Sequence, residues 1–226
     1  EVVAGGSLIK MLYDTGLGRM GLELLIKRKL YSSLQGKLCD TAISKTQIRK
    51  FVDGFNIDMS ECVEDIGDFK SFNNFFTRKL KPKAREFSNE PTILSSPGDG
   101  RVKAWVDIDI DRLVQIKGFS YSLKELLVDD KLAEKYYGGT CILLRLAPVD
   151  YHRFHFIDSG RCSESTRIKG SYYSVNPIAL NRVWQIFCRN KREFSVLDSD
   201  NFGDILYIEV GATSVGSIVQ TYVPGN

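Results

Sequence analysis

The sequence predicts an α+β fold, with a helical N-terminal lobe over residues 1–90 and a mostly antiparallel, β-rich domain over residues 91–226. Apolar residues recur with helical spacing in the first third of the chain, and with alternating or strand-like spacing after it. This order of helices and then strands, without alternating βαβ units, is typical of α+β proteins. The 226 residues, 43% of them hydrophobic, suffice for one substantial core, so we expect a single compact unit.

Three helices are predicted in the N-terminal lobe. The clearest spans residues 42–55, where apolar side chains recur at i, i+3, i+4 and i+7 behind a capping-box pattern that begins at Ser44. A second is indicated by the phenylalanines from Phe69 to Phe76, with Ser71 near its start and Pro82 as its limit. A third covers residues 20–34. Its apolar stripe is Leu22, Leu25, Ile26 and Leu30. We expect this stripe to pack on the core, with the neighbouring basic residues solvated, in preference to a membrane anchor.

Strands are predicted in the rest of the chain. Residues 101–111 alternate strictly between apolar and polar side chains, which indicates a half-buried strand or strand pair. Residues 141–144 and 205–208 are short apolar runs that fit strands buried on both faces. A capping box at Ser122 predicts a short helix that ends near Gly138.

Composition narrows the possible functions. The formal net charge is only +3, which gives no global basis for binding nucleic acid. The five cysteines are odd in number, far apart and without a C-x-x-C pair, so a reducing compartment fits better than a disulfide framework or a zinc ribbon. The longest uncharged run, residues 210–226, is interrupted by glycine and proline, and we expect no segment to span a membrane.

A tight turn at residues 95–100 fixes the position of one carboxylate, that of Asp99. Pro97 and two glycines force the turn directly before the alternating segment. An aspartate in such a turn usually bonds its own backbone, so a structural role for Asp99 is the commoner interpretation from the turn alone.

The only two histidines, His152 and His155, stand three residues apart after a predicted buried strand, beside Asp150 and Arg153. Two histidines are too few for a zinc site, whereas acid–base chemistry fits better because histidine titrates near neutral pH and a carboxylate can orient it. In an extended segment the spacing of three sends the two rings to opposite faces, so they would do different work. Two structural histidines remain an alternative.

A histidine with an orienting aspartate is normally completed by an activated serine or cysteine. The candidate serines Ser96, Ser214 and Ser217 do not lie in a G-x-S-x-G elbow, so an ordinary serine hydrolase is poorly supported. A further candidate is the basic segment 78–85, which carries five Lys or Arg in eight residues. It could hold phosphate headgroups, although a solvated helix end explains the same residues and is preferred here.

Taken together, these segments resemble the phosphatidylserine decarboxylase family. The matching stretches are 72–85 (FNNFFTRKLKPKAR), 96–100 (SPGDG), 115–123 (QIKGFSYSL), 146–155 (LAPVDYHRFH), 173–177 (YSVNP) and 210–218 (VGATSVGSI). The likeness runs in order from about Leu22 to the end of the chain. Six ordered motifs are far more specific than any one of them.

The resemblance implies an enzyme that makes its own cofactor, a covalent pyruvoyl group. In the family a serine attacks the preceding carbonyl, the chain is cleaved, and the serine is left as a pyruvoyl group on a small α chain, where its carbonyl serves as electron sink for loss of carbon dioxide. By motif, Asp99 and His155 would deprotonate that serine and His152 would return a proton to the decarboxylated substrate. Asp150 would support the pair.

The resemblance also implies partners and a location. The substrate would be phosphatidylserine, the product phosphatidylethanolamine, and the other partners an anionic membrane surface, the α chain and a second copy in a homodimer. We expect a peripheral enzyme on the cytoplasmic face of a membrane, and no bound metal.

The family's cleaved serine is expected to lie beyond Asn226, so this chain is expected to be truncated or an incomplete β chain, inactive by itself. Ser217 belongs to a different motif. Two alternatives stay open: a related decarboxylase that acts on a free amino acid, and a catalytically inactive lipid-binding relative. Intact Asp99, His152 and His155 count against the second.

Overall fold

The computed structural model describes residues 6–88, 90–116 and 119–225. Helices occupy its N-terminal part and antiparallel sheets follow, which confirms the predicted α+β fold class. Lys117 and Gly118, in one of the family motifs, lie outside the described residues.

In the described part of the chain, five α-helices precede the first strand. They are α1 (Gly6–Asp14), α2 (Gly16–Gly21), α3 (Lys29–Cys39), α4 (Thr46–Phe55) and α5 (Phe72–Phe76). A π-helical turn, Leu22–Ile26, follows α2, and two 3-10 turns, Ala42–Lys45 and Met59–Glu61, flank α4.

The prediction of a single helix over residues 20–34 is wrong. Backbone hydrogen bonding passes into the π turn at Leu22, and Arg28 is extended, with φ −82° and ψ 143°, before α3 begins. Because these interruptions break the 3.6-residue repeat, the predicted stripe does not share one face. Leu22 is buried, whereas Leu25 is 66% exposed and Leu30 is 80% exposed, so the expected core packing holds for only part of it.

The start of α4 also differs from the prediction. The helix is present and buries Ile48 and Val52, but Ser44 lies in the preceding 3-10 turn and does not cap it. The Ser44 hydroxyl instead donates to the carbonyl of Thr41 at 2.7 Å and accepts the N–H of Phe72 at 2.8 Å. Ser44 therefore joins α4 to α5.

Helix α5 is shorter than the predicted aromatic helix. Ser71 caps its N-terminus by accepting the N–H of Asn74 at 3.2 Å, in agreement with the sequence. The helix ends at Phe76, six residues before the expected limit at Pro82. The segment that follows is therefore free to lie across the β-rich part.

The later elements are short helices and eight strands. The helices are α6 (Leu123–Leu127), α7 (Asp130–Glu134), α8 (Pro177–Leu180) and α9 (Ile186–Arg189). The strands are β1 (Arg101–Trp105), β2 (Leu113–Ile116), β3 (Phe119–Tyr121), β4 (Cys141–Arg145), β5 (Gly160–Cys162), β6 (Thr166–Ile168), β7 (Arg192–Ser199) and β8 (Gly203–Val210). The predicted capping box at Ser122 is confirmed at the start of α6.

Three antiparallel sheets result. Strand β1 pairs with β4 and β2 pairs with β3. Strand β7 is central in a four-stranded sheet: β8 pairs along its whole length, while β5 and β6 pair with its two ends on the other side. The predicted strand over residues 101–111 ends at Trp105, and its apolar face is not half-buried, since Val102 is 59% exposed.

The hydrophobic interior has two clusters. The larger joins Tyr13 and Leu22 of the N-terminal part to Tyr173, Leu180 and the β-rich residues around them. The smaller lies between α4 and α5. Its fully packed members are Ile48, Val52, Phe69 and Phe75. Shared burial in the larger cluster stabilises the contact between the first helices and the sheets.

Of the helices that the structure describes, none has the length and apolar character needed to cross a membrane. All five cysteines carry free thiols.

Candidate active site

The Asp99 turn packs against strand β4. Gly100 has a φ of +143°, and a Cβ there would stand 2.6 Å from the carbonyl oxygen of Arg145, so only glycine fits this close approach. The Asp99 carboxylate does not bond the turn backbone, contrary to the commoner expectation for such a turn. It accepts two hydrogen bonds from Arg85, at 2.6 Å from Nε and 2.5 Å from Nη2.

Arg85 links Asp99 to a second carboxylate. Its Nη1 lies 3.1 Å from both carboxylate oxygens of Glu61. Hydrogen bonds to Asp99, the larger contribution, and to Glu61 raise the pKa of Arg85. Arg85 is therefore a permanent cation between two anions. A planar guanidinium suits this paired geometry, and it fixes the orientation of the Asp99 side chain.

The histidine segment lies directly against the Asp99 turn. The backbone N–H of His155 donates to the carbonyl oxygen of Pro97 at 2.7 Å. The His155 ring lies between aromatic side chains, with centroid distances of 5.8 Å to Tyr151 and 5.5 Å to Phe87. The structure thus brings Asp99 and His155 together.

The environment of His155 favours its neutral form. Burial, followed by the charge of Arg153, lowers the pKa of His155, and the charge of Asp99 acts in the opposite direction. The structure records no hydrogen bond between the imidazole and Asp99, whose carboxylate is held by Arg85. A neutral imidazole beside a carboxylate can accept a proton and is then stabilised by the nearby charge.

His152 lies in a different environment. Its ring stacks on Phe76 with a centroid distance of 4.0 Å, and its Nε2 lies 3.1 Å from the carbonyl oxygen of Ala147. Because a carbonyl only accepts, Nε2 carries the proton in this contact. Burial lowers the pKa of His152 to about 4, and the Arg78 charge adds to this effect.

Asp150 shapes the loop that carries both histidines. Its carboxylate accepts the N–H of Ala147 at 2.5 Å, and its own N–H donates to the Ala147 carbonyl at 3.0 Å. The same carbonyl accepts a hydrogen bond from Nε2 of His152. Asp150 therefore positions His152 indirectly, by closing the turn whose carbonyl binds the His152 ring. Its charge also slightly opposes the lowering of the His152 pKa.

The basic segment 78–85 is only partly the solvated helix end that the sequence favoured. Its three lysines are exposed, but Arg78 is 5% exposed and Arg85 binds Asp99. Nη2 of Arg78 donates to the carbonyls of Val149 at 3.0 Å and Asp150 at 3.3 Å. Arg78 thus binds the histidine loop and Arg85 binds the Asp99 turn, because the chain that leaves α5 passes beside both.

A cleft of about 200 Å³ joins these groups. Its polar walls include Glu61, Arg78, Arg85, Asp99 and Asp150, and Tyr151 closes one side. Neither histidine lines this cleft, but its wall includes Asp99 and three residues that directly precede His152, so a small charged group bound there would lie close to the histidine loop.

Within the part of the chain that the structure describes, the candidate serines form no hydrogen bond with either histidine. Ser96 lies in the Asp99 turn, where its hydroxyl donates to the carbonyl of Gly98 at 2.8 Å. The Ser214 hydroxyl donates to the side chain of Gln35 at 2.5 Å. Among the described residues, none supplies a nucleophile hydrogen-bonded to His152 or His155.

Sequence reasoning missed Arg85 as the partner of Asp99, Arg78 as a buried cation, and Phe76 and Tyr151 as the supports of the two rings. The arginines were inside a segment whose charge suggested solvent exposure. Their only distinguishing signal was that arginine, unlike lysine, favours paired and partly buried sites.

Comparison with known proteins places the chain in a family. Residues 72–226 match the family model described as phosphatidylserine decarboxylase. A protein of Ruminiclostridium cellulolyticum named phosphatidylserine decarboxylase proenzyme is 61% identical over 225 residues, which cover 100% of this chain and 75% of that protein. Proteins of the same name from Clostridium perfringens and Clostridium tetani are 58% and 53% identical, over 99% and 98% of this chain and 76% and 74% of their own lengths. The chain belongs to the phosphatidylserine decarboxylase family.

Proposed function

We propose that this chain forms the larger part of a pyruvoyl-dependent enzyme that decarboxylates phosphatidylserine to phosphatidylethanolamine. The observation that supports it best is the hydrogen bond from the N–H of His155 to Pro97, which holds the histidine segment against the Asp99 turn beside the cleft. The relatives at 53–61% identity carry the decarboxylase name over nearly the whole of this chain.

The residues around the cleft fit a pyruvoyl group made from a serine of the same gene product. Asp99 and the neutral His155 are the pair that would receive the serine hydroxyl and take up its proton. When in place, the pyruvoyl carbonyl would supply the electron sink for loss of carbon dioxide. The Tyr151 ring stacks on the His155 ring, with 5.8 Å between their centroids.

His152 would act after carbon dioxide has left. Its position on Phe76, on the Arg78 side of the loop, separates it from the Asp99 turn. Because its ring is neutral at pH 7, it would relay a proton from water to the substrate carbon, while His155 serves self-cleavage. Asp150 would support this step by closing the turn that presents the ring. Different environments for two histidines are what different acid–base tasks require.

The small α chain would cover the β1–β4 sheet. Val102 and Ile142 lie on one face of this two-stranded sheet, 59% and 44% exposed, next to the Asp99 turn. About a quarter of the length of the relatives lies outside the part that they share with this chain. We expect Val102→Glu to weaken association of the two chains on gel filtration, whereas unchanged association would contradict this placement.

The first helices would meet an anionic membrane on its cytoplasmic face. Six leucines of this region are 59% to 80% exposed: Leu17, Leu24, Leu25, Leu30, Leu34 and Leu38. Basic residues stand among them, at positions 27–29 and 37. Exposed apolar side chains interleaved with cations suit a peripheral lipid contact. A homodimer, implied by the family resemblance, stays a prediction.

The test is a carbon dioxide release assay on the full-length gene product, with phosphatidylserine in mixed micelles or free L-amino acids as substrate. We expect release from phosphatidylserine, with phosphatidylethanolamine as product. Release of carbon dioxide from a free amino acid but not from phosphatidylserine would show that the enzyme is a related decarboxylase with a free amino acid as substrate. Binding of phosphatidylserine vesicles without release would assign the inactive lipid-binding relative.

A further inference from the structure

Arg78 is a buried cation with unused hydrogen-bond donors. Its side chain lines the cleft and is 5% exposed, with the guanidinium over the Phe75 ring at 5.2 Å. Nη2 donates to the carbonyls of Val149 and Asp150. Nε and Nη1 are buried, and neither has an oxygen or nitrogen partner among the residues that the structure describes. The Cys62 thiol, a weak acceptor, lies near the guanidinium, whose charge opposes the raising of the Cys62 pKa by burial.

The other charged side chains that line the cleft have hydrogen-bond partners, including Asp58, whose carboxylate accepts the N–H of Ser60 at 2.8 Å. Arg85 is shared by Asp99 and Glu61, and the Asp150 carboxylate accepts the N–H of Ala147. Arg78, by contrast, forms no ion pair with a carboxylate in the described parts of the chain. An unpaired buried charge with free donors is costly, so such a group is normally met by an anion with several acceptor oxygens.

We propose that Arg78 binds the phosphodiester group of the phospholipid headgroup and is a substrate-binding residue of this enzyme. The inference rests on the proposed function, which supplies a substrate with a phosphate one short linker away from the reacting carbon. Nη1 alone carries two N–H donors that the structure leaves unused, and a phosphodiester oxygen is a strong acceptor for a charge-assisted hydrogen bond from one of them.

The substrate has a second anion, its carboxylate, but that group is a poor partner for Arg78. The carboxylate charge is lost as carbon dioxide leaves, so an arginine that neutralised it would stabilise the ground state more than the transition state. The phosphodiester keeps its charge throughout the reaction. Binding it holds the headgroup without opposing the chemical step.

The position of Arg78 relative to His152 agrees with this role. Arg78 bonds the carbonyls of the two residues that lie two and three positions before His152, and its charge contributes to the lowered pKa of that histidine. A phosphodiester on Arg78 would offset this charge. The bound headgroup would therefore lie beside the proposed proton donor.

The test uses the full-length processed enzyme and two variants, Arg78→Met and Arg78→Lys. Arg167→Gln is the matched control, because Arg167 is an exposed arginine paired with Glu193 and does not line the cleft. Phosphorus NMR titrations measure the dissociation constants of glycerophosphoethanolamine and inorganic phosphate. KM and kcat for phosphatidylserine, cleavage into two chains and the melting temperature are measured on the same samples.

We expect Arg78→Met to raise the dissociation constant of glycerophosphoethanolamine and the KM by roughly tenfold to hundredfold, the range for a lost charge-assisted hydrogen bond. Arg78→Lys should be intermediate, with cleavage and melting temperature retained and kcat within a few-fold. The control should match the wild type.

Three results would overturn the proposal. In the first, the Arg78 variants bind glycerophosphoethanolamine as tightly as the control does, and in the second, inorganic phosphate binds as tightly as glycerophosphoethanolamine. In the third, both variants fail to fold and be cleaved, which would give Arg78 a purely structural role. Should the wild type release no carbon dioxide from phosphatidylserine, the proposed function fails, while the headgroup titrations still decide the role of Arg78.

Discussion

The backbone N–H of His155 donates a hydrogen bond of 2.7 Å to the carbonyl oxygen of Pro97, which joins two segments far apart in the sequence. Asp99 follows Pro97 by two residues, and its charge reaches the His155 ring strongly enough to oppose the lowering of its pKa. The carboxylate itself is bound by Arg85. A backbone hydrogen bond thus keeps Asp99 and His155 close together, and Arg85 fixes the orientation of the Asp99 carboxylate.

Replacement of either partner should block maturation. We expect His155→Ala and Asp99→Asn to slow cleavage of the full-length proenzyme by about 10²- to 10⁴-fold, the usual loss when a general base or its orienting group is removed. Gel electrophoresis of the purified variants at timed intervals measures the uncleaved fraction. Normal cleavage in His155→Ala would contradict its role as base.

His152 should affect a different step. We expect His152→Ala to be cleaved into two chains but to decarboxylate phosphatidylserine about 10²- to 10⁴-fold more slowly, because the proposed proton donor is absent. The carbon dioxide release rate per cleaved enzyme measures the effect, and the cleaved fraction is its internal control. If His152→Ala and His155→Ala failed at the same step, the division of labour between them would be wrong.

His152 should also make stability depend on pH. Its pKa is about 4 in the folded chain and 6.5 when unperturbed, so the unfolded state binds the proton more readily. The resulting stability is complete above pH 6.5 and is lost as pH falls toward 4. At pH 5 the loss is about 2 kcal/mol for 1.5 pH units.

Urea unfolding of the wild type and His152→Gln at pH 7.5 and pH 5 measures this effect, because glutamine can still donate to the Ala147 carbonyl but does not titrate. We expect the stability difference between the two proteins to shift in favour of the variant by about 2 kcal/mol at the lower pH. An equal difference at both pH values would show that His152 is not held neutral by burial.

The exposed leucines of the first helices should control membrane binding. We expect the double variant Leu25→Ser, Leu30→Ser to bind phosphatidylserine vesicles about tenfold or more weakly, because it removes two large apolar contacts. Vesicle sedimentation measures binding, and Val128→Ser, at an exposed valine outside these helices, is the control. Equal binding by both variants would contradict a membrane contact at these leucines.

The sequence predicted several of the elements whose signal is local, although the capping box expected at Ser44 does not form. The capping box of α6 and the N-cap of α5 depend on residues three positions apart, and both were confirmed. The helix predicted over residues 20–34 was not confirmed, because the backbone of Arg28 is extended and interrupts it. The apolar pattern of the side chains continues across Arg28 and gives no sign of this interruption. Strand β7 was missed because it buries Arg192, Glu193 and Ser195, which look like surface residues in sequence.

The same distinction applies to the site. Asp99, His152, His155 and Asp150 were selected from motifs, and the structure places them around one cleft and one loop. The pairing of Asp99 with Arg85 could not be predicted, since it depends on how the chain leaves α5 and returns across the β-rich part. Long-range pairing of this kind is decided by tertiary packing.

Mass spectrometry of the purified full-length gene product tests self-processing to a pyruvoyl enzyme most directly. We predict two chains, the smaller one blocked at its N-terminus by a carbonyl that reacts with phenylhydrazine and lacking the nitrogen of the serine from which it was formed. A single intact chain with no reactive carbonyl, in a preparation that releases carbon dioxide from phosphatidylserine, would contradict the pyruvoyl mechanism.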